Sequence, residues 1–372
     1  MAAILRARRA LRQPFAGVAG SHALRGGLST NVCAMHRIVY LPGDGIGPEV
    51  GTAARKIVEA AGVKVEWLPG DIGLGAIERH GDALPRATLQ LIRDCGIALK
   101  GPTTTPSGGG HVSANVRLRK ELGLFANVRP VKTVPGLETR YGSVDLIIVR
   151  ENTEDLYAGL ENEVAPGVVT SIKVITATAS RRIARFAFDY AKKWGRKRVT
   201  AVHKANIMKM ADGLFLRCAQ EEAAAHPDIK SDDVLVDALC MRLVTKPDAY
   251  DVLLLENLYG DIVSDLAAGL IGGLGLAPGA NYGEGCAVYE AIHGTALDIA
   301  GKGIANPIAL TLSAAMMCHD LGHPDAYRRI RRGIAAVTQK RRAELTPDLG
   351  GTGTCVSVTA AIIEEMRALP PV

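Results

Sequence analysis

Two aspartates four residues apart, Asp261 and Asp265 in "LENLYGDIVSD", have a spacing suited to chemistry. Positions i and i+4 of a helix share a face, so both carboxylates would project side by side. Acids held that close repel one another unless a cation lies between them, and hard divalent ions take oxygen donors. The same pattern also suits a helix N-terminus, whose dipole favours acids. A basic group lies elsewhere: Arg117, Arg119 and Lys120, then Arg129, then Arg150 opening "RENTEDLY". Guanidinium forks match carboxylates, and a charge ending an apolar strand sits where ligand crevices open in α/β sheets. Tyr157 and Lys204 can move a proton once their surroundings shift their pKa values. Each equally fits a core-edge phenol or a lysine reaching to solvent. Residues 293–307, "HGTALDIAGKGIANP", combine glycines that allow close backbone approach with an acid able to hold a ribose diol. Standing alone, that segment is ordinary turn vocabulary.

These residues need elements to place them. Apolar runs over residues 37–41, 144–149, 198–203 and 251–255 read as buried strands. Residues 181–194, 212–225 and 307–321 read as helices between or after them. Such alternation predicts an α/β protein with layered helices and a largely parallel sheet. Gly43, Gly45 and Gly47 run into Pro48 and do not fit the G-x-G-x-x-G dinucleotide pattern, and no phosphate-binding loop of the Walker type is present. Any NAD site would therefore lie outside a Rossmann fold.

At 372 residues, with nearly half of them apolar, the chain can bury the core of two domains. The longest uncharged apolar stretch, residues 266–278, is too short to cross a bilayer and holds four glycines, so no membrane insertion is expected. The first 43 residues carry no acid, while Arg6, Arg8, Arg9, Arg12 and Arg25 are spaced among Ala, Leu, Ser and Gly. That composition predicts a mitochondrial transit peptide over residues 1–33 and a matrix location. Removing residues 1–30 takes away five arginines and lowers the net charge from +6 to +1. The basic balance thus gives no reason to expect a nucleic-acid partner, and aromatics for base stacking are scarce. Seven cysteines without a C-x-x-C pair read as free thiols.

In order and spacing, "LPGDGIGPEV" (41–50), "KGPTTTP" (100–106), "RENTEDLYAG" (150–159), "VHKANIMK" (202–209), "NLYGDIVSD" (257–265) and "HGTALDIAGKGIANP" resemble the isocitrate and isopropylmalate dehydrogenase family over residues 37–368. The resemblance implies a large α/β domain from residues 36–124 and 272–372. It also implies a small α/β domain over 125–271 that carries the dimer interface and a clasp near 155–177. Carried over position by position, Arg119, Arg129 and Arg150 would clamp substrate carboxylates, with Ser113 and Asn115 completing the pocket. Asp261 and Asp265 of one subunit and Asp237 of its mate would bind Mg2+ or Mn2+. Lys204, also from the mate, would take the hydroxyl proton, and Tyr157 would protonate the enol after decarboxylation. Dinucleotide contacts would fall on Thr104, Asn206, His293, Gly294, Asp298, Ile299 and Asn306.

The implied reaction is oxidation and decarboxylation of isocitrate to 2-oxoglutarate and CO2, a step of the tricarboxylic acid cycle. Ser113 and Asn115 offer hydroxyl and amide groups that suit a carboxylate-bearing substrate better than an isopropyl group. Homoisocitrate differs by one methylene, worth about 1–3 kcal/mol, and stays an alternative. Asp298 and Ile299 stand where NADP-using relatives carry Lys and Tyr; a carboxylate there repels a 2′-phosphate, so NAD is expected. A non-catalytic regulatory paralogue is the reading from another class, opposed by the presence of Tyr157, Lys204, Asp237, Asp261 and Asp265. At least a homodimer is expected, or a hetero-oligomer with regulatory subunits. Glu256 and Leu297 occupy positions where the family usually has proline, which loosens two turns.

Overall fold

The computed structural model describes residues 35–104 and 113–370; the leader expectation on residues 1–33 lies outside them. In chain order the elements are β1 (His36–Leu41), α1 (Gly47–Ala60), β2 (Val65–Pro69), α2 (Leu74–His80), α3 (Arg86–Cys95), β3 (Ile97–Lys100), α4 (Ala114–Glu121), β4 (Ala126–Lys132) and β5 (Asp145–Glu151). There follow β6 (Glu161–Ala165), β7 (Val168–Ser171), α5 (Ala177–Lys193), β8 (Arg198–His203), α6 (Ala211–Ala224), β9 (Lys230–Leu235), α7 (Val236–Thr245), β10 (Val252–Leu255) and α8 (Asn257–Leu270). Last come β11 (Pro278–Tyr282), β12 (Ala287–Ala291), α9 (Ile308–Asp320), α10 (Pro324–Lys340) and α11 (Cys355–Ala368).

One ten-stranded sheet runs in the order β2-β1-β3-β12-β11-β4-β5-β10-β8-β9. Its two wings are parallel, whereas β12, β11, β4 and β5 pair antiparallel at the centre. Strands drawn from residues 36–124 and 272–372 occupy one half of the sheet and those from 125–271 the other. Successive side chains of a strand face opposite ways, and here both faces are covered. Val252 and Leu254 join Ile147, Val149, Phe188 and Phe215, whereas Leu253 and Leu255 join Ile148, Leu239 and Val263. This is the three-layer α/β arrangement the apolar runs predict.

Among the central antiparallel strands β5 alone carries a clear apolar run; β4, β11 and β12 do not, which explains why their sequences do not announce them. Pro130 in β4 cannot donate to a ladder and belongs at an edge. β11 pairs with β4 only at Ala126–Val128, so Pro130 lies beyond its reach with β5 alone beside it. Helix α5 starts earlier than its apolar spacing suggests because the Thr176 hydroxyl accepts from the Ala179 N–H at 3.2 Å and caps it. β6 and β7 form a separate, fully exposed two-stranded hairpin. Among the described residues six cysteines are free, and no helix is long and apolar enough to cross a membrane.

Candidate active site

The centre of the sheet ends in a buried polar layer. Asn127 and Arg129, two apart on β4, share a face; Asn127 lies opposite Asn281 of β11 and donates to its Oδ1 at 2.8 Å. Asn281 in turn donates to Glu290 of β12 at 2.8 Å. Glu290 sits beside Lys100 in the β12–β3 register and accepts from its Nζ at 2.6 Å, while Arg119 of α4 reaches the other oxygen at 3.1 Å. Burial would raise the Glu290 pKa, but Lys100 and Arg119 hold it well below the usual carboxylate range. The charge of Glu290 thereby fixes the direction of Arg119.

Arg129 and Arg150 are almost fully buried, at 6% and 1% exposure. Burial, and then the neighbouring charges of Arg150 and Arg119, push Arg129 down to about 10, so it stays cationic at neutral pH. Arg150 donates through Nε and Nη2 to Asn257 Oδ1 at 3.0 and 2.7 Å, and through Nη1 to Asp261. Arg129 lies 3.6 Å from Asp261 and 3.4 Å from Asp265, and also donates to Ser264. The stem of Arg150 crosses α8 at Gly260, where a Cβ would meet Arg150 Cγ at 2.4 Å. Helix α8 is held at its start by Asp155, whose carboxylate accepts the Leu258 N–H at 2.7 Å.

Tyr157 follows Asp155 in a short 3-10 turn and donates its hydroxyl to Asp261. Burial first, and the hydrogen bond to Asp261 second, raise the phenol pKa, so Tyr157 keeps its proton at neutral pH. Burial would also raise Asp261, yet Arg150 and the Tyr157 hydrogen bond leave it lowered; Asp265 is raised, chiefly by burial. Arg119, Arg129, Arg150, Tyr157, Asp261 and Asp265 thus meet in one place. Ser113 precedes α4 and Asn115 lies in its first turn, where Asn115 accepts from Thr103 at 3.0 Å. Asn115, Arg119, Arg129, Glu290, His293 and Gly294 line a cavity of about 130 Å³.

Lys204 and Asp237 stand elsewhere. Lys204 follows β8 and donates to Asp237 Oδ1 in the first turn of α7 at 2.6 Å; that hydrogen bond lowers the Asp237 pKa. Asn206 is exposed on the same loop. Among the described residues no hydrogen bond or ion pair joins Lys204 or Asp237 to Tyr157, Asp261 or Asp265. Nor does any group of three His, Cys, Asp or Glu side chains there stand ready to hold a metal ion. The carboxylates suit Mg2+ or Mn2+ by donor chemistry, but one chain brings only two of them together.

The 293–307 loop joins this cavity through the "DGIG" turn. A Cβ on Gly45 would lie 2.0 Å from Thr295 O, so only glycine fits that crossing. Asp44 accepts the Thr104 N–H at 2.8 Å, and the Thr104 and Thr295 hydroxyls are 3.2 Å apart. Burial lowers the His293 pKa, and its Nε2 is buried without a hydrogen-bond partner beside the cavity. Asp298 is exposed and Ile299 half-buried, while Asn306 donates to Asp348 at 2.9 Å. An unpartnered imidazole nitrogen and an open carboxylate fit a dinucleotide with bare ribose hydroxyls.

The sequence reading misses Lys100, Asn127, Asn281 and Glu290, because only strand register pairs them, and Asn257, which meets Arg150 from the start of α8. Glu256 is a further surprise. Its side chain accepts from Lys173 at 2.5 Å, and burial pushes its pKa up to about 8. Leu297 is exposed in the 293–307 loop, next to Ala296 at φ +41°.

A parallel-winged α/β sheet that ends in arginines, paired aspartates and a protonated phenol has the chemistry to grip a polyanionic small molecule. The family model for isocitrate/isopropylmalate dehydrogenases matches residues 37–366, and the chain belongs to that family. It is 49% identical over 339 residues, 90% of this chain and 93% of the relative, to a probable mitochondrial NAD isocitrate dehydrogenase subunit alpha of Caenorhabditis elegans. It is 52% identical to a chloroplastic 3-isopropylmalate dehydrogenase of Solanum tuberosum, over 80% of this chain and 84% of that one. An isocitrate dehydrogenase crystal structure from Methylococcus capsulatus superposes with a TM-score of 0.86 at 50% identity, covering 90% of this chain and all of the other.

Proposed function

We propose that this chain is a catalytic subunit that oxidises and decarboxylates isocitrate with NAD in the mitochondrial matrix. The observation that carries the reading is the convergence of Arg119, Arg129 and Arg150 on a site whose Asp261 also holds Tyr157. Three guanidiniums suit a tricarboxylate. On α4, Ala114 and Leu118 pack into the core, leaving Asn115 and Arg119 to line the cavity. That polar wall favours a carboxylate over an isopropyl group, whatever the identity to the potato enzyme. Homoisocitrate fits the same wall with one methylene more.

Arg129 and Arg150, already desolvated and anchored, would bind substrate carboxylates with little reorganisation. When bound, the divalent ion supplies a Lewis acid at the substrate hydroxyl and NAD supplies the hydride acceptor. Asp261 and Asp265, with the partner subunit's Asp237, would hold that ion. Lys204 would take the hydroxyl proton, and Tyr157 would return one to carbon after CO2 departs.

Residues 36–124 with 272–372, and residues 125–271, form the large and small domains in this reading, supported by their separate halves of the sheet. An assembly of at least two subunits is supported by the exposed Met241 and Val244 of α7, Ile262 of α8, and Val164, Val168 and Val169 of the hairpin. A two-stranded ribbon needs such packing to persist. Steady-state rates of the purified chain with isocitrate, homoisocitrate and 3-isopropylmalate, each with NAD or NADP and Mg2+, test the proposal. The highest kcat/KM is expected for isocitrate with NAD; a higher value for either other acid overturns the substrate assignment.

A further inference from the structure

Lys173 lies at the root of the exposed hairpin, 31 residues before Lys204 and well before α8. Its ammonium reaches Asp212 at 2.6 Å, Glu256 at 2.5 Å and Asp155 at 4.0 Å, with the Tyr259 ring centroid 4.5 Å away. All three carboxylates are buried, at 0–1% side-chain exposure. Each belongs to a different segment that carries a proposed active-site residue, the Lys204 segment serving the site of the partner subunit. The second oxygen of Asp212 accepts the Lys204 N–H at 2.7 Å and sets the loop after β8. Asp155 caps α8 through Leu258 and stands two residues before Tyr157. Glu256 immediately precedes α8, and its carbonyl accepts the Gly260 N–H at 2.9 Å.

We propose that Lys173 is a positioning residue for the reaction: one largely buried ammonium ties together the three segments that carry Tyr157, Lys204 and Asp261. The balance of charge makes this specific to the cation. Glu256 Oε1 and Asp155 Oδ1 have no hydrogen-bond partner of their own. Without Lys173, the buried carboxylates of Asp155 and Asp212 face the carboxyl group of Glu256 with nothing between them, and their segments must separate or take up protons.

This inference rests on the proposed roles of Lys204, Tyr157 and Asp261, and its test separates the two. Lys173→Met keeps the length of the stem and removes the charge; Lys173→Arg keeps the charge; Glu256→Ala cuts only the tie to α8. With isocitrate, NAD and Mg2+, Lys173→Met is expected to lose at least roughly tenfold in kcat per folded protein, since displacement by about 1 Å is costly. Its KM values are expected to stay within about threefold, and Lys173→Arg to recover most of the rate. Amide hydrogen exchange is expected to rise together over residues 203–210 and 255–262 in Lys173→Met, and only over 255–262 in Glu256→Ala. A purely architectural ion pair would lower the folded fraction and leave kcat per folded protein unchanged, which overturns the proposal. Unchanged exchange in both segments overturns it as well. Should Lys173→Met not fold, Lys173→Arg and Glu256→Ala carry the same test, and unaltered exchange in Glu256→Ala counts against it. If the wild-type chain fails to oxidise isocitrate, the functional reading falls, while exchange still decides the linkage by Lys173.

Discussion

Arg150 and Asp261, 111 residues apart in the chain, are joined by a direct hydrogen bond, and the second oxygen of Asp261 takes the hydroxyl of Tyr157. One carboxylate therefore orients both a guanidinium and a phenol hydroxyl, while 37% of its side chain stays exposed. The contact exists because the β5–β10 pairing sets Leu255 beside Arg150, and α8 begins two residues later.

Gly260→Ala tests how closely that contact is built. The added methyl would collide with the Arg150 stem, which has no room to withdraw because its head is fixed on Asn257. Overpacking of this kind costs about 1–3 kcal/mol. The expected result is a lower denaturant midpoint together with a fall in kcat/KM for isocitrate, read by urea titration and initial rates.

The raised pKa of Glu256 makes stability depend on pH. Its carboxyl titrates near 8 in the fold against 4.5 in the unfolded chain, so the folded state holds a proton the unfolded state releases. This contribution is fully present below about pH 4.5 and is lost as the pH rises through about 8. Wild-type protein is expected to lose more Tm between pH 5 and pH 9 than Glu256→Gln does, measured by calorimetry. Parallel Tm curves for the two proteins would contradict it.

Much of the site was legible because chemistry collects at strand ends. Arg150, Lys204 and the "HGTA" loop each follow a run of apolar residues, and Asp261 and Asp265 obey helical spacing. What stayed hidden depends on long-range register. Lys100 and Glu290 become partners only because β3 lies beside β12, and Pro130 and Gly279 disguise the strands between which the arginines emerge. Lys173 gave no signal, since a lysine ending an exposed hairpin looks solvated until three distant acids close round it. Apolar period alone made β1, β5, β8 and β10 readable; β2, β3 and β9 of the wings and β4, β11 and β12 at the centre were not.

Cofactor preference is expected to shift on substitution at two exposed or half-exposed positions. Asp298→Lys with Ile299→Tyr replaces a carboxylate that repels a phosphate by a cation and a hydroxyl that bind one. The ratio of kcat/KM for NAD to that for NADP is expected to fall by at least about tenfold, and an unchanged ratio would count against the assignment of Asp298.

The separation of Lys204 and Asp237 from the arginine cluster predicts complementation between subunits. Lys204→Met and Asp261→Asn should each be inactive alone. Co-expressed, half of randomly formed pairs are mixed and each holds one intact site of two, giving about a quarter of wild-type activity. Activity no greater than that of the separate variants would place the complete site within one chain.

The most direct measurement is NADH formation with simultaneous CO2 release from isocitrate, made on wild-type protein and on Asp261→Asn with and without Mg2+. The predicted result is metal-dependent turnover with both products in equal amounts, reduced on the order of a hundredfold or more by the substitution. Turnover of Asp261→Asn at the wild-type rate, or no NADH from the wild-type protein, would contradict the role given to this cluster.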